Sequence, residues 1–227
     1  MSIDWSSAEA ELNMHGSAVL PGLLNATQCT RLRDSWDERD RFRNEVVMAW
    51  HGYGSGAYRY FAYPLPEPVA ALRTALYPPL ARIANLWAEA LGTPALPDTH
   101  AEFLARCHAA GQTRPTPLLL RYEAGDWNAL HQDLYGEHVF PLQVAILLSR
   151  PGADFTGGQL VLTEQRPRMQ SRAEIVPLAQ GDAVVFPVHG RPVKGARGWH
   201  RRAIRHGVSR VRSGLRFTLG LIFHDAR

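Results

Sequence analysis

The chain predicts an α+β fold: a jelly-roll barrel over residues 113–227, preceded by a mainly helical part over residues 1–112 that packs on the barrel's larger sheet. Two observations predict it. Up to Gly111 apolar residues recur at helical spacing, whereas from Pro115 onward they fall into short alternating runs separated by glycine turns. Short strands so punctuated make an antiparallel barrel rather than a parallel sheet, and helices with one apolar face need a surface to cover. With 227 residues, 45 % of them hydrophobic, the chain can bury one sizeable core, so a single domain is expected.

In the helical part, Asn25-Ala26-Thr27-Gln28 reads as a capping box, after which Cys29, Leu32 and Trp36 share a face. A second apolar face runs Val69, Leu72, Leu76 and is expected to stop at Pro78-Pro79, where two backbone N–H groups are missing. A further helix then carries Leu80, Ile83, Ala84, Trp87 and Leu91 up to Gly92. Asp98 is the expected cap of a last helix with Phe103, Leu104 and Cys107, ending near Gly111. The stretch Trp50 to Tyr63 interleaves glycines with aromatics and has two readings. It is either a flap that stacks on a flat substrate or ordinary packing at the barrel mouth.

In the barrel part, Leu118 to Tyr122 precedes a turn at Gly125. Leu142 to Ser149 sets Val144, Ile146 and Leu148 on one side and Gln143, Ala145 and Leu147 on the other; Gln143 points either into a pocket or to an edge. Gly157-Gly158 starts the strand Gln159 to Thr163, and Gly181-Asp182 starts Ala183 to Phe186. After Ser213-Gly214 comes Leu215 to Phe223, in which Leu215, Phe217, Leu219 and Leu221 share one face while Arg216 and Thr218 share the other. A guanidinium and a hydroxyl side by side make a carboxylate clamp.

The chemistry centres on His131-Gln132-Asp133. One intervening residue puts both ligand-type side chains on the same face of an extended segment. Joined by His206 from a strand folding back beside them, they form two imidazoles and a carboxylate, the facial set that holds Fe(II) with open positions. His138, His189 and His200 compete for the same role, but only His206 is followed by the Val, Gly and Arg order that leads to Arg216. Zinc is the alternative ion; a zinc hydrolase leaves the clamp at Arg216 and Thr218 without a purpose.

These residues carry a resemblance. Tyr122-x-x-Gly125 followed by His131-Gln132-Asp133, with His206 and then Arg216, resembles the Fe(II)- and 2-oxoglutarate-dependent dioxygenases, both AlkB-type nucleic-acid demethylases and prolyl hydroxylases. Leu120 departs from the demethylase pattern, which has asparagine there, and Arg216 comes sooner after the distal histidine. Over nearly the whole chain, stretches such as YRYFAYPLP, LYPPLARIANLW, GQTRPTPLLLRY, HQDLYG, DFTGGQLVLTEQRPRMQSR, GDAVVF, RHGVS and FHDA are similar to the prokaryotic Oxygenase-NA branch. The resemblance implies a double-stranded β-helix of cupin-like, jelly-roll type with Fe(II), 2-oxoglutarate and O2 as cofactors. It implies His131, Asp133 and His206 as metal ligands, Arg216 and Thr218 on the cosubstrate's far carboxylate, and Tyr122 and Gln143 as further cosubstrate contacts. The implied activity is oxidation of alkylated or modified nucleic acid in DNA repair. Hydroxylation of a protein side chain or small molecule is the alternative, and a non-catalytic metal-binding barrel the third reading.

Net charge is +4, and its distribution is uneven. From Arg191 to Arg216 there are nine basic residues and no acidic one. Such a tract suits single-stranded or damaged DNA or RNA, or it is a solvated loop face. Cys29 and Cys107 are too few for a disulfide framework and read as buried thiols. No run of 18 apolar residues and no signal-peptide order at the start point to a cytoplasmic protein without a membrane segment.

Overall fold

The computed structural model describes residues 3–165 and 168–227. Met1 and Ser2 of the start, and Arg166 and Pro167 within the stretch DFTGGQLVLTEQRPRMQSR, lie outside the described residues. In chain order the elements are α1 (Trp5–His15), β1 (Ala18–Leu20), α2 (Ala26–Asp34), β2 (Phe42–Val47), β3 (Gly54–Ser55), β4 (Ala57–Phe61), α3 (Glu67–Leu91) and α4 (His100–Ala109). There follow β5 (Leu118–Tyr122), β6 (Trp127–His131), β7 (Leu142–Leu147), β8 (Phe155–Gly157), β9 (Leu160–Gln165), β10 (Arg172–Val176) and β11 (Ala183–Pro187). The chain closes with β12 (Gly190–Gly195), β13 (Gly198–Val208), β14 (Val211–Gly214) and β15 (Arg216–Leu221).

Two antiparallel sheets face each other as a double-stranded β-helix. The larger has the order β1-β11-β7-β15-β5-β4-β2; the smaller runs β10-β9-β13-β6-β3, with β12 paired on β13. Alternation along β15 and β7 divides their side chains as expected. Phe217, Leu219, Leu221, Val144, Ile146 and Leu148 join the core beneath the helices, together with Leu12, Cys29, Leu32, Tyr77, Leu80 and Phe103. The helices therefore cover the outer face of the larger sheet. Two further clusters, one of Leu160, Leu162, Val176, Val184, Phe186 and Ile204 and one of Met48, Tyr122, Leu147, Phe155, Val208 and Val211, border a cavity.

Two local expectations are corrected, and the two readings of the aromatic stretch are resolved toward packing. The apolar face that begins at Val69 does not stop at Pro78-Pro79, because α3 continues through both prolines to Leu91. Each interior proline costs about 3 kcal/mol. Leu76, Tyr77, Leu80 and Ile83 are buried on both sides of the break, each contributing about 1.5–3 kcal/mol, and outweigh it. The cap of α4 is Thr99 rather than Asp98, and its hydroxyl accepts from the Glu102 N–H. The aromatic stretch is largely ordered sheet: β4 joins the larger sheet and buries Tyr60 and Phe61, while Trp50 and Tyr53 remain exposed. The capping box on α2 forms as read.

The carboxyl-terminal tail is anchored by a buried ion pair that the sequence did not reveal. Arg73 of α3 donates to Asp225 at 2.8 Å and to the Ile222 carbonyl at 2.9 Å, and Tyr63 donates to the other Asp225 oxygen at 2.8 Å.

Candidate metal centre

The smaller sheet brings the distant histidine to the HxD pair. His206 on β13 is the direct cross-strand partner of His131 at the end of β6, and the two ring centroids lie 4.1 Å apart. Gly207 permits that approach: a Cβ there would stand 2.7 Å from the Asn128 carbonyl oxygen. Gln132, between the two, ties the segment down by donating to the His189 carbonyl at 2.7 Å and to the Ile204 carbonyl of β13 at 2.8 Å.

One ligand-type atom from each of His131, Asp133 and His206 lies within 4.8 Å of the other two. His131 Nε2 is 3.5 Å from Asp133 Oδ1, and His206 Nε2 is 3.3 Å from Asp133 Oδ2. His131 Nδ1 sits 2.8 Å from the Ala129 carbonyl, an acceptor, which puts the proton on Nδ1 and leaves the Nε2 lone pair toward the centre. Burial, and then the neighbouring His206, lower the His131 pKa and favour the neutral ring. Burial opposes ionisation of Asp133, but the neighbouring His206 and His131 rings and the Tyr135 hydroxyl hold its carboxyl well below the usual range. Two imidazole nitrogens and an ionised carboxylate converging on one point suit a divalent cation, Fe(II) among them.

The second cluster lies deeper in the same cavity, which encloses about 410 Å³ and is lined by all seven residues singled out in the sequence. That volume falls within the roughly 300–1,000 Å³ of small-molecule pockets. Arg216 on β15 is buried, donates to Thr218 Oγ1 at 2.7 Å, and has no acidic partner among the described residues. Its Nε has no hydrogen-bond partner there either. Burial, against which Tyr122 works, brings the guanidinium pKa down to about 10. Tyr122 is its cross-strand neighbour, and the guanidinium carbon lies 5.5 Å from that ring. Gly158 makes the space, since a Cβ would fall 2.9 Å from Arg216 Cδ, and its φ of +58° favours glycine independently. Gln143 resolves to the pocket reading: it is buried among the cavity-lining residues, with its Nε2 unpartnered among the described residues. A buried cation with no acid beside it and a buried amide donor with no acceptor fit a dicarboxylate.

The competing histidines stand apart from the cluster: His138 is held by its backbone to Gln112, His189 contributes a carbonyl, and His200 is exposed in the β12–β13 hairpin. The arginine tract needs correction as well, because it is neither one loop nor one face. Arg191 and Arg202 turn inward and share Glu164 at 2.7 and 2.9 Å, and Arg216 enters the cavity. Lys194, Arg197, Arg201, Arg205, Arg210 and Arg212 are the exposed remainder. Alternation along an eleven-residue strand divides a charge run that composition alone treats as a unit.

Sequence reasoning missed Tyr135, Asn128 and Gln112 around the site. Tyr135 donates to Asp133 Oδ1 at 2.8 Å, Asn128 donates to the Tyr122 hydroxyl at 3.3 Å, and Gln112 fastens the segment after Asp133 through four hydrogen bonds and the Asp225 carbonyl through a fifth. No motif marks them by role, although Gln112 lies within GQTRPTPLLLRY and Tyr135 within HQDLYG.

Comparisons with known proteins agree with this geometry. Residues 56–226, well over half of the chain, match the family model Oxygenase-NA, described as an oxygenase catalysing oxidative methylation of damaged DNA. Two curated uncharacterized proteins of Mycobacterium tuberculosis strains are each 55 % identical over 167 residues, covering 73 % of this chain and 72 % of theirs. Among solved structures, a prolyl-4-hydroxylase of Pseudomonas putida superposes with a TM-score of 0.57 at 15 % identity, covering 98 % of this chain and 99 % of that one. A 2OG-Fe(II) oxygenase-family oxidoreductase of Burkholderia pseudomallei gives a TM-score of 0.57 at 18 % identity, covering 98 % and 92 %. At such identities the likeness is one of fold. By the family match the chain belongs to the Oxygenase-NA family of oxygenases, and its fold is that of the Fe(II)- and 2-oxoglutarate-dependent superfamily.

Proposed function

We propose that the chain is an Fe(II)- and 2-oxoglutarate-dependent dioxygenase that oxidises alkyl groups on damaged nucleic acid. The observation that carries the cofactor assignment is the buried, acid-free Arg216 in one cavity with His131, Asp133 and His206. The three ligand residues hold the ion, Arg216 and Thr218 take the far carboxylate of 2-oxoglutarate, and Gln143 and Tyr122 supply further donors to it. When bound, Fe(II) with 2-oxoglutarate and O2 supplies an oxidative decarboxylation to succinate and CO2 coupled to hydroxylation of a substrate C–H bond. On an N-alkyl group the product is a hemiaminal, which collapses to an aldehyde and the free amine. The protein fixes the C–H bond against the ion and excludes water: Leu120, Leu130 and Phe186 supply apolar wall, and Tyr53 and Tyr58 line the cavity with flat rings.

The nucleic-acid substrate rests on the family description and on the exposed cations Lys194, Arg197, Arg201 and Arg205, which share the β12–β13 hairpin with exposed Trp199. Arginine side chains and an aromatic ring suit phosphates and bases of a single strand. The helical part and the barrel act as one domain, since residues of all four α-helices enter the core that backs the larger sheet. Among the described residues no helix is long and apolar enough to cross a membrane. The test is 2-oxoglutarate decarboxylation with Fe(II) in the presence of methylated single-stranded oligonucleotides, peptides or small acids. Stimulation by methylated oligonucleotides with aldehyde release is the expected result; stimulation by peptides or acids instead moves the substrate assignment to the hydroxylase alternative.

A further inference from the structure

We propose that Tyr135 is the positioning residue of Asp133 and that Tyr60 in turn orients Tyr135, so that one carboxylate oxygen is engaged by the phenol and the other is presented to the ion. The proposal rests on the triad reading above. Asp133 lies beyond the end of β6 at His131, so no ladder hydrogen bond fixes its backbone. A carboxylate on a terminal sp³–sp² torsion turns over a broad two-fold well, and its oxygens are equivalent until something distinguishes them. His131 Nε2 lies 3.5 Å from Oδ1 and His206 Nε2 3.3 Å from Oδ2, and Tyr135 makes the distinction by donating to Oδ1 alone, at 2.8 Å.

The direction of each proton follows from counting donors. An ionised carboxylate only accepts, so the single hydroxyl proton of Tyr135 goes to Asp133. Tyr60, whose oxygen is 3.2 Å from that of Tyr135, therefore donates to it. Donation from Tyr60 polarises the Tyr135 hydroxyl and strengthens its bond to Asp133. Tyr60 is firmly set: it is buried on β4 in the larger sheet, with the Arg43 guanidinium carbon 4.3 Å from its ring centroid and the Tyr58 ring edge-on at 5.4 Å.

The backbone of Tyr135 is held as well. Gln112 Nε2 donates to the Tyr135 carbonyl at 3.2 Å, to the His138 carbonyl at 3.0 Å and to the Asp225 carbonyl at 2.6 Å, and Gln112 Oε1 accepts from the Glu137 and His138 N–H groups at 2.9 and 2.7 Å. Gly136, at φ +86°, lets the loop close on that amide; a Cβ there would lie 2.4 Å from Gln112 Cδ. Two supports from outside the smaller sheet thus converge on one tyrosine, Tyr60 on its hydroxyl and Gln112 on its backbone.

The test uses Co(II) as the probe ion on the full chain, read by titration calorimetry and by the visible ligand-field band, with circular dichroism melting as the check of folding. Tyr135→Phe is expected to weaken Co(II) binding about 10- to 100-fold, the usual effect of removing a partner of a metal ligand, and to change the ligand-field band. Tyr60→Phe is expected to weaken binding less, and to have no further effect in the Tyr135→Phe background. Wild-type affinity and an unchanged band in Tyr135→Phe would overturn the proposal, as would an equal loss from Tyr60→Phe with or without Tyr135. If Tyr135→Phe does not fold, Tyr60→Phe alone decides, and wild-type affinity there overturns the proposal. Wild-type protein that takes up no Co(II) overturns the triad reading itself and this proposal with it.

Discussion

Arg216 donates to Thr218 Oγ1 at 2.7 Å, and this hydroxyl is the one hydrogen-bond partner its guanidinium has among the described residues. A buried cation without an acid is a standing cost to the fold, accepted where a ligand will supply the missing charge. Arg216→Met is therefore expected to stabilise the ligand-free protein by roughly 1–4 kcal/mol in chemical denaturation. The same change should abolish the rise in melting temperature that 2-oxoglutarate gives the wild type. Loss of stability together with an undiminished response to 2-oxoglutarate would place the clamp elsewhere.

The acid limb of stability should carry the mark of two buried histidines. Burial, and then the charge of Arg73, bring His100 and His224 down to about 4 from the ordinary 6.5. Between those values the unfolded chain binds protons that the folded chain refuses, so stability falls as pH drops from 6.5 to 4 and is independent of these groups above 6.5. Each histidine contributes up to about 1.4 kcal/mol per pH unit in that window. His100→Gln keeps a donor for the Phe223 carbonyl, now 2.9 Å from the ring nitrogen, and should lower the slope of unfolding free energy against pH. An unchanged slope would show that His100 is protonated in the folded state.

The arginine tract separates into a structural and a binding part that mutation can tell apart. Glu164→Ala strands Arg191 and Arg202 and is expected to cost about 3–5 kcal/mol in urea unfolding, the penalty for breaking a buried pair. Arg201→Ala and Arg205→Ala, both exposed, should leave stability unchanged. Each should weaken single-stranded DNA binding and lower the slope of log affinity against log salt by about 0.7 for every phosphate contact removed. Salt-independent binding, or none, would exclude this hairpin as the nucleic-acid contact.

Strand alternation made most of the site legible in advance. His131 and Asp133 share a face because one residue separates them, Arg216 and Thr218 for the same reason, and the cavity contains all four with His206, Tyr122 and Gln143. Local pattern could not reach contacts closed by the tertiary fold. Arg73 and Asp225, or Gln112 and the loop after Asp133, are distant in the chain and belong to no periodic signal. At Pro78-Pro79 local chemistry argued for a stop, and burial on both sides of the prolines carried the helix through. Charge density in the arginine tract misled for a related reason: composition does not say which residues of a strand face inward.

The most direct measurement is succinate formation from 2-oxoglutarate by purified protein with Fe(II) and O2, comparing wild type with His206→Ala and confirming by circular dichroism that both are folded. Iron-dependent succinate from the wild type and none above background from the variant is the expected result. Succinate released at the same rate by both proteins, or by neither, would contradict the assignment of His131, Asp133 and His206 to one iron.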